Sequence, residues 1–200
     1  INVEIVISII NHYGDNILSY NDEVQNLMIK EIQYLSKITS YDNKKKESIH
    51  LILDRIIEIK NIDINYIHNN YSFLFYACKM NDIKLCEKLL KSDNIDVNIS
   101  MPPNGMTPII FALDLYNYDI VEMLINHPNI NLYVKNLYGT DAITIIIKRQ
   151  KSKLIKLLAD KDNPDALYEY GYMLEEGIEV PMNKKEAASY YKKASHKMNT

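Results

Sequence analysis

Apolar positions between Asn61 and Ala159 return in one order at a spacing of about 33 to 35 residues, the signature of a small unit stacked several times. Three stretches lie in register: residues 72–90 (SFLFYACKMNDIKLCEKLL), 107–125 (TPIIFALDLYNYDIVEMLI) and 141–159 (DAITIIIKRQKSKLIKLLA). In each, an apolar first half is followed by a polar turn and then by apolar pairs: Leu85/Cys86 with Leu89/Leu90, Ile120/Val121 with Leu124/Ile125, and Leu154/Ile155 with Leu157/Leu158. Pairs about one turn apart form a single stripe on a helix. The pattern predicts two short helices per unit, each too short to be stable alone in water, so the stripes must be covered by neighbouring units. Ser72, Thr107 and Asp141 precede the first helices as N-caps. Pro108 follows at the first helical position, where its missing N–H costs nothing. The string NIDIN at 61–65 returns as NIDVN at 94–98, so an incomplete unit precedes the first full one.

These residues resemble the ankyrin repeats, whose pattern is Gly-x-Thr-Pro-Leu-x-x-Ala, a tight turn, an Ile-Val-x-x-Leu-Leu helix and a closing Asp-Val-Asn. Residues 105–112 (GMTPIIFA) match the opening, and Asp63-Ile64-Asn65 and Asp96-Val97-Asn98 match the close. Where the family places glycine between its helices, this chain has Asn81, Tyr116 and Gln150. Asn tolerates the left-handed conformation that such a turn requires, whereas Tyr and Gln do so poorly. The third unit carries Asp141-Ala142 in place of Thr-Pro.

A second resemblance covers 163–199, which is similar to one Sel-one-like repeat, a relative of the tetratricopeptide repeats. It runs through Ala166, Gly171, Leu174, Gly177, Val180, Asn183, Ala187, Tyr190, Tyr191 and Ala194. Asn163-Pro164 opens one helix, Gly177 stops it, and Asn183 with Glu186 forms a capping box for the next. Gly171 and Ala187 are small where two helices must approach. The family's second loop glycine is replaced here by Glu179.

The resulting expectation is an all-α chain, an ankyrin-type helical solenoid followed by a Sel-one-like helix pair. Residues 1–48 form a helical lead-in that caps the stack, 49–160 the ankyrin repeats (one partial, three fuller), and 163–200 the Sel-one-like repeat. Within the lead-in, Val24, Leu27, Met28, Ile32 and Leu35 recur at helical spacing behind Ser19 or Asn21, and residues 41–48, with Lys44-Lys45-Lys46, read as a solvated linker. The chain opens on Ile1 rather than Met and ends within a few residues of the second repeat pattern, as expected of a fragment or an incomplete gene model.

Composition narrows the function classes. A hydrophobic content of 47% with 24% charged residues suits a globular chain, and a net charge of −3 supplies no basic field for phosphate backbones. Nucleic acid is therefore not an expected partner. No apolar run approaches the roughly 20 residues a membrane span requires, and the expected compartment is the cytoplasm. With five glycines, the chain has neither GxGxxG nor GxxxxGK[ST], and it also lacks HExxH and GxSxG. Glu175 and Glu176 are adjacent on a helix, point about 100° apart and cannot flank one bond. Cys78 takes the place of the second small residue of an inner helix and Cys86 falls on the apolar stripe of the outer one, both as structural thiols. His12, His50, His68, His127 and His196 are scattered without ligand spacing. The chain is read as non-enzymatic, with no cofactor and no metal.

Recognition remains, and stacked units project the same loop to the same side. The expected function is a protein-binding scaffold or adaptor, monomeric, gripping a protein partner on its concave face. The candidate contact residues are Asn69 and Tyr71 on the first tip, Pro102, Pro103 and Asn104 on the second, and Lys135, Asn136 and Tyr138 on the third. Pro102-Pro103 stiffens its loop, and Tyr71 and Tyr138 carry the large amphipathic area of interface anchors. The opposing reading packs these tyrosines on neighbouring tips. Two alternatives remain open: a regulatory arm of a larger enzyme, such as a kinase or ubiquitin ligase subunit, or a secreted effector that grips host proteins.

Overall fold

The computed structural model describes residue 47, residues 63–67 and residues 70–198. The lead-in expected over residues 1–48, apart from Glu47, most of the partial unit and Asn69 lie outside the described residues. Among the described residues there are eight helices and no strands: α1 Phe73–Met80, α2 Ile83–Leu90, α3 Pro108–Asp114, α4 Tyr118–Asn126, α5 Ala142–Lys148, α6 Ser152–Asp160, α7 Pro164–Glu176 and α8 Lys184–Met198. Consecutive helices pair as hairpins. The first helices stack on one another in the order α1, α3, α5, and α2 packs on α4, while α7 rests on both α5 and α6 and pairs most extensively with α8. The fold is the all-α stack that the repeat pattern predicts.

One continuous core runs from Ile64 to Ala194. Its ribs are the predicted stripes: Leu85, Cys86 and Leu89, then Ile120, Val121, Leu124 and Ile125, then Leu154, Ile155 and Leu158, all buried. Leu90 and Leu157 are half-buried at the stripe edges. Both thiols are buried and free, and burial, reinforced by Asp82, pushes Cys86 up to about 12. Thiolate chemistry is thereby suppressed at neutral pH.

The helix ends depart from expectation in two ways. Asp141 caps α5 by accepting from the Thr144 amide at 2.8 Å, but Ser72 and Thr107 make no such bond, and their buried hydroxyls have no partner among the described residues. Both residues are enclosed by the stack, where packing outweighs local capping. Asn81, Tyr116 and Gln150 all adopt the left-handed conformation despite two of them being poorly suited to it, with φ of 49°, 60° and 50°. Hydrogen bonds enforce the turn: Asp82 N–H reaches the Ala77 carbonyl and Asn117 N–H the Ala112 carbonyl, closing each first helix so that the second can fold back.

Candidate partner-binding surface

The units are tied together by a polar ladder. In each closing string an acidic or amide side chain accepts a backbone N–H two residues on: Asp63 from Asn65, Asp96 from Asn98, and Asn131 from Tyr133. The residue that ends the string then bridges to the next unit. Asn65 donates to the Asn94 carbonyl and accepts from the Asp96 amide, both at 2.8 Å. Asn98 repeats both bonds one unit on, with the Asn129 carbonyl and the Asn131 amide. At the third junction Tyr133 takes this place, and its hydroxyl accepts from Asn163 at 2.9 Å; Asn163 also caps α7 by accepting from the Ala166 amide. Tyr133 thus adds a side-chain bond to the packing of α7 on α5 and α6 that joins the repeats to the terminal hairpin.

A second set of bonds closes the C-terminal ends of the first helices from the following unit. Asn117 donates to the Cys78 carbonyl at 2.6 Å, and Arg149 donates to the equivalent carbonyl of Leu113 while pairing with Asp114 at 3.2 Å. The Arg149 guanidinium also lies over the exposed ring of Tyr116, 4.7 Å from its centroid. These contacts hold the register of the stack and, with it, the spacing of the tips.

The tips differ from one another. On the first, Tyr71 is half-buried: its ring packs against Phe75, Tyr76 and Phe111, with the Lys79 ammonium 4.9 Å above it. Tyr71 therefore belongs largely to the fold. On the second tip the Met101 N–H donates to the Met106 carbonyl and the Gly105 N–H to the Met101 carbonyl, around a cis Pro102-Pro103 bond whose rings are exposed. Asn104 is half-buried; its side chain accepts from the Met106 amide and its carbonyl accepts from the Leu137 amide, joining second tip to third. Gly105, at φ 69°, lies where an added Cβ would sit 3.4 Å from that Leu137 nitrogen, so its conformation admits the neighbouring tip.

On the third tip Asn136 is buried to 9% exposure, its side chain accepting from the amides of Tyr138 and Thr140. It shapes the loop. Lys135 projects into solvent, and Leu137 and Tyr138 are 76% and 77% exposed. Two large apolar side chains thus stand on a backbone clamped from both sides. Of the candidate residues, Pro102, Pro103, Lys135 and Tyr138 are presented outward, while Tyr71, Asn104 and Asn136 are wholly or partly engaged in the scaffold. Leu137 was not among the candidates, although its place between Asn136 and Tyr138 marked it as a tip residue.

Stacked helical hairpins with outward tips define an all-α solenoid. A family model described as ankyrin repeats (3 copies) matches residues 37–136, half of the chain, and the chain belongs to the ankyrin-repeat family. The match ends at the third tip, ahead of α5 to α8. Searches of curated proteins and of solved structures returned no match. Ankyrin repeats are in general protein–protein interaction modules and typically non-catalytic, which makes a protein partner the expectation for this chain. Among the described residues no helix is long and apolar enough to cross a membrane.

Proposed function

We propose that this chain is a non-catalytic scaffold or adaptor that captures a protein partner on the second and third tips and the adjoining faces of α3 and α5. The observation that carries this reading is the exposure of Leu137 and Tyr138 on a loop whose backbone is held by Asn104 and Asn136. Such a loop loses little conformational entropy when a partner immobilises it. Pro102 and Pro103 flank the same patch with rigid apolar surface. Replacing Leu137 and Tyr138 together by Ala is expected to weaken capture of the partner by over about 1 kcal/mol per anchor with an unchanged melting curve. Undiminished capture would remove the tips from the binding surface.

We also read residues 163–200 as a Sel-one-like repeat that adds a second arm to the module. Support comes from the close seat of Gly171 under Tyr191, the left-handed Gly177 that ends α7, and the reciprocal bonds between Asn183 and Glu186 that open α8.

A further inference from the structure

The outward face of the α7–α8 hairpin carries no covering element among the described residues; on its α5 side it opens onto a cavity where Tyr168, Glu169 and Met198 meet Ile143, Ile147 and Lys148. Its charges are segregated in sequence: residues 163–181 hold five acidic and no basic side chains, whereas α8 holds five lysines, one histidine and one glutamate. At 100° per residue this becomes an ordered strip across the face. Glu169 and Glu176 form one edge on α7; Tyr168 and Tyr172 come next; Tyr191, Ser195 and Met198 follow on α8; Lys185, Lys192 and His196 form the far edge. Asp165 and Lys184 also fall within the strip; its centre is open, with Tyr168 and Met198 54% and 57% exposed and a groove of about 540 Å³, which Glu175 and Ser195 help to line, running between the two helices. Tyr191 is fixed there by donating its hydroxyl to Glu175 at 2.7 Å and by packing on Gly171. Glu169, Glu176, Lys185 and Lys192 form no salt bridge among the described residues.

We infer that this face pairs with the same face of a second copy of the chain, about a two-fold axis parallel to the two helices. That operation lays α7 of one protomer antiparallel on α8 of its partner. It sets each acidic edge against a lysine edge and lets the central aromatic residues enter the opposite groove. The alternative two-fold, perpendicular to the helices, would oppose like charges on both edges and is disfavoured. A patch two helices wide and about 22 Å long is at the low end of specific interfaces, so the dimer is weak and dependent on ionic strength.

Sedimentation velocity of the 200-residue chain from about 5 to 200 μM tests this, since a small interface places dissociation in that range. The expected result is a dimer fraction that rises with concentration and an affinity that falls by about tenfold between low and high salt. Lys185→Glu with Lys192→Glu should abolish pairing, as should Glu169→Lys with Glu176→Lys. An equimolar mixture of the two variants should recover a heterodimer, because each α7 edge then meets an α8 edge of opposite sign. The mixture keeps the test decisive, since chains that had lost their fold would not recover. A monomer across the whole range, a dimer indifferent to both reversals, or two broken variants that fail to rescue each other would each overturn the inference.

Discussion

The repeated hairpins and the terminal hairpin share one core but reach stability by different routes. Helices α1 to α6 are seven to nine residues long, about two turns, whereas α7 and α8 run to 13 and 15. In the repeats, many groups that a helix end leaves open are closed by the next unit: Asn117 and Arg149 reach back to the preceding first helix, and Asn65 and Asn98 reach forward. The terminal hairpin carries its own equipment. Asn163 caps α7, Gly177 stops it, and Asn183 and Glu186 cap α8 within the hairpin. Stability in the repeats is thus a property of junctions, while in the terminal pair much of it belongs to the element itself.

The largest expected effect that tests this contrast is Leu124→Ala. Leu124 is fully buried in the middle of the stack, and its truncation should cost roughly 2 to 5 kcal/mol in urea or thermal unfolding. A cost below about half a kcal/mol would mean that the core does not transmit through α4. Gly171→Ala comes next, since its Cβ would lie 2.9 Å from the Tyr191 ring, and a destabilisation of about 1 to 3 kcal/mol is expected. Hydrogen exchange should accelerate in α7 and α8 while α1 to α4 keep their protection. Loss of protection throughout would show the two regions to be one cooperative unit.

Asn98→Ala removes both bonds of one ladder rung and should cost about 1 to 2 kcal/mol, more than Tyr133→Phe, which removes the single bond to Asn163. Equal costs would mean that the repeat junctions and the terminal junction are built alike. The smallest effect has the opposite sign. Gln150→Gly should stabilise by up to about 1 kcal/mol, because relief of left-handed strain exceeds the entropy that glycine loses.

Residue by residue, legibility follows the range of the interaction. The register of the units, the stripes through Leu85, Leu124 and Leu158, and the Asp141 and Asn183 caps were readable because each depends on residues within a turn or two of one another. The expected box forms only in part, since Glu186 accepts from the Asn183 side-chain amide while the Asn183 N–H reaches the Leu174 carbonyl. The closing strings were visible too, but not what their final residues do. Asn65 and Asn98 act across about 30 residues of chain, and the exchange of asparagine for Tyr133 at the third junction gains its meaning only once Asn163 is placed opposite. Tyr71 and Tyr138 occupy similar tip positions in the sequence. Phe111 from the next unit covers the first, and no comparable ring lies beside the second among the described residues.

The order of apolar and polar residues by itself determined that the chain builds stacked helical hairpins, because helix periodicity and end-capping act locally and repeat in phase. Only the tertiary structure decided that Ser72 and Thr107 forgo capping, that Tyr116 and Gln150 accept a left-handed backbone, and that Leu137 and Tyr138 stand exposed. The first is set by enclosure in the stack and the second by bonds within each hairpin, such as Asn117 N–H to the Ala112 carbonyl, and these demands of packing and hydrogen bonding outweigh the roughly 1 kcal/mol preferences of a single residue.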